Sequence, residues 1–190
     1  MKQQLRFVAF RSSDDPGWRE AWELYSASFP RCGRWSEAAY ARAFADPAFT
    51  ADGVWLDGRL AGILFHWRGD GFRYVEHLAV SPAIRGGGLG SAILSAFCDR
   101  TERVVLEIDP PEDEISVRRL HFYRRLGFCD NPYAYVHPSY ARPFRPHRLV
   151  LMSRPGPLSY DEARRFAAFI RERILLRYSD HAALPESLLK

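Results

Sequence analysis

Tyr74-Val-Glu-His-Leu-Ala-Val-Ser-Pro-Ala-Ile-Arg-Gly-Gly-Gly-Leu-Gly-Ser-Ala-Ile-Leu94 is the stretch on which the fold turns. Its first half reads as a strand ending at Val80, since β-branched and aromatic residues dominate and Pro82 stops the pairing. The chain then passes through Arg85-Gly-Gly-Gly-Leu-Gly90 into an apolar helix that runs to about Cys98 or Arg103. Glycines at a strand-to-helix junction let the backbone approach a ligand closely with its N–H groups turned outward. The helix N-terminus adds partial positive charge, so the junction is an anion cradle suited to a pyrophosphate. Arg85 would add a full charge with fork geometry. A P-loop is excluded because Ser91 and Ala92, not a lysine and a hydroxyl residue, follow Gly90. A GxGxxG dinucleotide turn from Gly86 fails at Ser91 and would have to open a parallel βαβ unit.

Upstream of the strand the pattern is antiparallel. Val54-Trp-Leu and Leu60 through Trp67 flank Asp57-Gly58, and Asp-Gly between alternating apolar runs predicts a two-residue hairpin. Gly69-Asp-Gly71 supplies a second reversal into Phe72–Val80, which makes a three-stranded meander. Before it, residues 5–10 predict a strand. Asp15-Pro16 predicts the start of a helix to about Phe29, and Ser36 the cap of a second helix. After the glycine turn come a strand at Val104–Ile108, a helix at Ser116–Leu126 stopped by Gly127, and a last strand at Leu149–Met152. Ser159-x-x-Glu162 is a capping box. Ala163, Phe166, Ala167, Ile170 and Ile174 then form an apolar stripe at helical spacing over about 158–178.

With 190 residues, 47% of them apolar and 14% aromatic, one packed domain over 1–190 is expected. No apolar run reaches the ~18–20 residues of a membrane span, and the N-terminus lacks the shape of a secretory signal. Cys32, Cys98 and Cys129 are too few and too scattered for a disulfide framework or a zinc ribbon. A reducing cytoplasm is therefore the expected setting. The balance of 27 basic against 23 acidic residues gives +4, compatible with an anionic ligand but too dispersed to imply nucleic acid.

The segment Leu78-Ala-Val80 followed by Arg85, Gly88 and Gly90 resembles the acyl-CoA signature of the GNAT superfamily of N-acetyltransferases. Leu120-His-Phe-Tyr123-Arg-Arg-Leu-Gly127-Phe128 resembles its second signature. The resemblance covers about residues 3–153. The stretches from Leu106 to Glu114 and from Arg118 to Phe128 are similar to a bacterial subgroup without well-defined substrates. It implies an α/β (α+β) GNAT fold: a central mixed, mostly antiparallel sheet flanked by helices, here with an added C-terminal helix.

For function the resemblance implies an acyltransferase that moves acetyl from acetyl-CoA to a primary amine by direct attack, with no metal. The pyrophosphate would lie on Arg85, Gly86, Gly87, Gly88, Leu89, Gly90 and Ser91. The pantetheine arm would run along Leu78, Ala79 and Val80, with Ser116 where relatives often carry an asparagine. Tyr123 would protonate the departing thiolate. For the base that deprotonates the ammonium, Glu76 is first choice, because alternation puts it on one face with Leu78 and Val80. Glu107 is second and His77 third, the latter turned away unless a bulge intervenes.

The carboxylates Glu112, Asp113 and Glu114 would either greet a cationic amine or be a solvated loop. In residues 130–148, Tyr133, Tyr135, Tyr140 and His137 would wall an ammonium pocket. Two alternatives stand beside the enzyme. One is a non-catalytic acyl-CoA-binding or regulatory domain. The other is a nucleic-acid-directed acetyltransferase using Arg118-Arg119 and Arg124-Arg125. Monomer and homodimer are both compatible with the sequence.

Overall fold

In the computed structural model, which describes residues 4–84, 87–142, 144–179 and 184–189, eight strands form a mixed sheet. Strands β1 (Arg6–Phe10), β2 (Phe49–Leu56), β3 (Arg59–Arg68) and β4 (Arg73–Val80) make an antiparallel run. β5 (Val104–Ile108) joins β4 in parallel, and β8 (Pro146–Arg154) pairs antiparallel with β5. The short β6 (Cys129–Asp130) and β7 (Tyr135–Pro138) both pair with β8. The segment over 130–148, for which the sequence predicts no regular element before Leu149, thus contributes the strand β7. Its Pro and His residues obscure alternation, and pairing with β8 and with the Leu188–Leu189 backbone holds it extended.

The β2–β3 hairpin turns as its Asp-Gly predicted, with Asp57 at φ 49° and Gly58 at φ 77°. Both residues sit in the left-handed region that a two-residue turn of matching twist needs. β3 is covered on both faces from Leu60 to Trp67, which is why it reads as an unbroken apolar run rather than an alternating one.

Helices α1 (Trp18–Ser28) and α2 (Glu37–Ala43) cover one face of the sheet. There Trp18 stacks over Phe65 with centroids 6.0 Å apart, and Tyr25 and Tyr40 meet edge to face. Helix α1 does not begin at Asp15-Pro16. The Asp15 carboxylate accepts the backbone N–H groups of Arg11 and Ser12 in a preceding turn, and Gly17 at φ 88° leads into the helix. Ser36 caps α2 through the N–H of Ala39, as expected.

Helices α3 (Leu89–Cys98) and α4 (Glu114–Arg125) cover the opposite face against Leu64, Val75, Leu106 and Met152. α4 starts two residues earlier than its sequence reading, because Asp113 and Ser116 form a reciprocal capping box. It ends at Gly127, φ 83°, where the Phe128 N–H returns to the Tyr123 carbonyl. The C-terminal helix α5 (Tyr160–Phe169) continues through a π-helical stretch, Ile170–Leu175, to Tyr178. Its apolar stripe lies on the α1–α2 face, with Phe166 edge-on to Tyr74. Asp46 ties its end down by accepting from Arg173 and from the Tyr178 hydroxyl at 2.7 Å.

Candidate active site

The sheet opens between β4 and β5. Their parallel pairing holds only from Arg73–Val104 to Val75–Leu106, and beyond it the two strands diverge. At that point β4 carries one residue more than β3: Phe65 pairs with His77 and His66 with Val75, so Glu76 is extra. A bulge of this kind bends a strand and re-aims its side chains. The opening is a cleft of about 390 Å³ lined by Glu76, His77, Leu78, Glu107, Tyr123 and Tyr140 among others.

The bulge corrects the face assigned to Glu76. Simple alternation would put it with Leu78 and Val80. Instead Tyr74, Glu76, His77 and Ala79 all turn toward the α1–α2 face, while Leu78 and Val80 face α3 and α4. Glu76 is held there as an acceptor. Its Oε1 receives the Trp35 indole N–H and the Tyr140 hydroxyl, both at 2.7 Å, and its Oε2 the Trp67 indole N–H at 2.8 Å. The side chain is 1% exposed. Three donors on two oxygens satisfy a buried carboxylate and fix it in place.

His77 is likewise consumed by structure. Its Nε2 lies 3.0 Å from the Gly33 carbonyl and its Nδ1 3.3 Å from the Tyr40 hydroxyl, which fits a neutral ring with the proton on Nε2. Burial holds its pKa below the ordinary value, against the pull of the Glu76 charge.

Glu107 differs from both. It receives one hydrogen bond, from the Tyr74 hydroxyl to Oε2 at 2.9 Å, while Oε1 is buried with no hydrogen-bond partner. Burial pushes its carboxyl up to about 7; the Tyr135 and Tyr74 phenols draw it down and the Glu76 charge adds to the rise. The Tyr135 phenol stands beside it, but its hydroxyl also lacks a hydrogen bond of ordinary geometry. Two neighbouring carboxylates, one fully satisfied and one not, thus have distinct chemistry.

Tyr123 enters the cleft from α4, beside Phe122 and Phe128. Burial pushes its phenol up to about 12, with Arg119 drawing it down, so it stays protonated at neutral pH. At the cleft rim, Asp109 accepts from Arg119 and lies 3.1 Å from His147 Nε2.

Arg85 and Gly86 lie outside the described residues. Gly87 (φ 59°) and Gly88 (φ 75°) are in the left-handed region, and a Cβ on either would meet open space. The turn is therefore built for backbone shape and leaves room at its surface. Gly88 gives α3 no side-chain cap, which leaves the N–H groups of the first turn, around Leu89, Gly90 and Ser91, for water or an anion. At Gly90 a Cβ would make ordinary contact, 3.4 Å from Val80 and 3.7 Å from Phe122, where α3 crosses β4 and α4. Ser116 is buried, and its hydroxyl is spent inside the α4 cap on Asp113.

The aromatic wall expected from residues 130–148 forms only in part. His137 and Tyr140 line the cleft, Tyr135 is buried beside Glu107, and Tyr133 instead donates to the Leu158 carbonyl. Of the acidic run, Asp113 is the helix cap and Glu114 pairs with Arg118. Arg119 and Arg124 are paired with Asp109 and Asp130, so three of the four arginines on α4 are committed to carboxylates. The anchors of Glu76, Trp35 and Trp67, were not singled out in the sequence. No local signal marks them, because they reach Glu76 from a loop and from β3.

A sheet parted beside a bulge, with a glycine turn at one end of the bulged strand and a helical tyrosine across the gap, has the architecture of an acyltransferase fold. The chain belongs to the acetyltransferase (GNAT) family, whose family model matches residues 17–128. It is 35% identical over 137 residues to a mycothiol acetyltransferase of Salinispora arenicola, a match covering 64% of this chain and 43% of that protein. The chain thus spans less than half the length of that relative. A putative GNAT-family acetyltransferase from Bacteroides thetaiotaomicron superposes with a TM-score of 0.78 at 29% identity, covering 87% of this chain and 96% of that one. A GNAT-family acetyltransferase from Elizabethkingia anophelis with acetyl-CoA bound shares the fold at a TM-score of 0.52 and 13% identity, over 78% and 96% of the two chains. Among the described residues, no helix is long and apolar enough to cross a membrane.

Proposed function

We propose that this chain transfers the acetyl group of acetyl-CoA to a primary amine by direct attack within a ternary complex. The observation that carries the reading is the opening of β4 from β5 at the Glu76 bulge, with Glu107 and Tyr123 on its walls. The unpaired edge of β4 over Leu78–Val80 suits the pantetheine arm as an added strand. The turn at Gly87-Gly88 and the first turn of α3 suit the pyrophosphate, and a backbone N–H near Leu78 would polarise the acetyl carbonyl. An acyl-CoA is consumed as co-substrate.

In this reading Glu107, rather than Glu76, takes the proton from the incoming ammonium. Glu76 already accepts three hydrogen bonds, whereas Glu107 keeps a free oxygen and a carboxyl near 7. A base is most effective when its pKa lies near the working pH. The neutral amine nitrogen attacks the carbonyl carbon, the C–S bond breaks as the tetrahedral adduct collapses, the leaving thiolate takes the Tyr123 proton, and the second proton shed by the nitrogen restores the Tyr123 phenol, directly or through water. Three free cysteines support a reducing cytoplasm as the setting.

Calorimetric titration with acetyl-CoA tests the reading. Binding in the micromolar range, on the order of −8 kcal/mol, is expected for the native chain and is lost in Gly88→Trp, with circular dichroism confirming that the variant is folded. A native chain that binds no acetyl-CoA refutes the proposal.

A further inference from the structure

A second cleft, of about 600 Å³, lies beside the first between the same two loops. Cys32, Gly33 and Ser139 face the acetyl-transfer cleft, while their neighbours Arg31, Arg34 and Arg142 face the second one. Tyr140 borders both, with its hydroxyl fixed on Glu76.

Among the described residues the charge on this wall is one-sided. Three guanidiniums, of which Arg142 lies over the Phe144 ring, stand against one carboxylate, Glu37, and the Trp18 indole already donates to Glu37 at 3.3 Å. Arg34 is positioned by a 2.6 Å hydrogen bond to the Ser26 carbonyl. That bond uses one N–H of its fork, and the others meet no protein group among the described residues. Arg31 makes no hydrogen bond or ion pair there either. A guanidinium fork matches a planar or tetrahedral oxyanion through paired N–H donors. Flat aromatic rings make much of the remaining wall: Trp22, Trp35 and Tyr178 line the space beside Ser26, Ser36 and Ser179, and the Trp35 and Tyr140 ring centroids lie 5.0 Å apart. Tyr178 is brought there by the C-terminal helix, whose end Asp46 holds.

We infer that this second cleft receives the amine acceptor, and that the acceptor carries a carboxylate or phosphate group on an aryl or similarly flat apolar body. The anion would be held on Arg31, Arg34 and Arg142, with the ring among the aromatic walls and the amine turned past Tyr140 toward Glu107. A polyamine fits poorly, since it would bring positive charge against three arginines. The inference rests on the acetyl-transfer reading for the direction of the amine, but not for occupancy of the cleft.

Two measurements separate the two ideas. The first is tryptophan fluorescence during titration with 3-phenylpropionate, without acetyl-CoA; Trp22 and Trp35 line the cleft and report its occupancy directly. Saturable quenching that weakens about 10–100-fold in Arg31→Ala/Arg142→Ala is expected, the range for lost hydrogen bonds to a charged group. The second is thiol release from acetyl-CoA with four amines: phenylalanine, its aminophosphonate analogue, phenethylamine and spermidine. Phenylalanine or the aminophosphonate should be the better substrate, and the preference between those two distinguishes carboxylate from phosphate. The preference of either over phenethylamine should fall in the double variant. If acetyl-CoA binds while 3-phenylpropionate does not, or if spermidine or phenethylamine is preferred, the inference is overturned and acetyl transfer stands. If 3-phenylpropionate binds as expected but acetyl-CoA does not, the acetyl-transfer reading fails and the anion-binding cleft stands.

Discussion

Glu107→Gln removes a charge that the fold holds at a disadvantage, and its consequences can be worked out from the carboxyl's surroundings. In the unfolded chain this group ionises near 4.5, whereas in the fold burial carries it to about 7. At ~1.4 kcal/mol per tenfold change, ionising it in the fold costs about 3 kcal/mol more than in the unfolded chain. Between those two values the folded state binds more protons than the unfolded one, so stability falls as pH rises through that window and the loss is complete above about 7. The Gln variant has no such proton to lose. Its carbonyl can still accept from Tyr74, and its amide can donate to the otherwise unpartnered Tyr135 oxygen.

The stability of Glu107→Gln relative to the native chain should therefore rise by up to about 3 kcal/mol between pH 4.5 and pH 8. This corresponds to roughly 6–12 °C in Tm for a chain of this size. Urea denaturation at a series of pH values measures it. Activity should move the other way. Native kcat/KM rises with an apparent pKa near the Glu107 value, and the variant loses both that limb and about 10²–10⁴-fold in rate. A stability difference that stays flat with pH would refute the account of the buried carboxyl. A variant that keeps the acidic limb would refute its role as base.

Tyr123→Phe should lower kcat about 10–10³-fold while leaving acetyl-CoA affinity in calorimetry nearly unchanged, because only the proton donor is removed. With a phenol at about 12, the native rate should show no alkaline loss attributable to Tyr123 below about pH 11. Glu76→Gln keeps the shape but sets an amide donor against an indole N–H, at a cost of roughly 2–4 kcal/mol. Adding Trp67→Phe removes the opposing donor and should recover part of that loss in thermal melts; no recovery would show that Trp67 is not the partner that matters.

What the residues by themselves determined follows from local physics. Asp57-Gly58 can turn a hairpin without strain, Ser36 and Ser159 cap the helices they precede, and Gly127 ends α4 because only a left-handed residue closes its last turn. The two motifs around Gly88 and Tyr123 were legible for the same reason, since each lies within one contiguous stretch. The start of α1 departs from its Asp15-Pro16 signal because Asp15 spends its carboxylate on a turn of the chain before it.

Tertiary structure decided which carboxylate is free. Glu76 and Glu107 are alike in sequence, each a lone acid in an apolar strand. The bulge set by β3 against β4 turns Glu76 into a cage built from Trp35, Trp67 and Tyr140, residues 41, 9 and 64 positions away in the chain. The parting of β5 leaves Glu107 at the cleft with one oxygen unpaired. Alternation along a strand cannot anticipate either, because a bulge depends on the partner's register and a hydrogen-bond cage on side chains from separate elements.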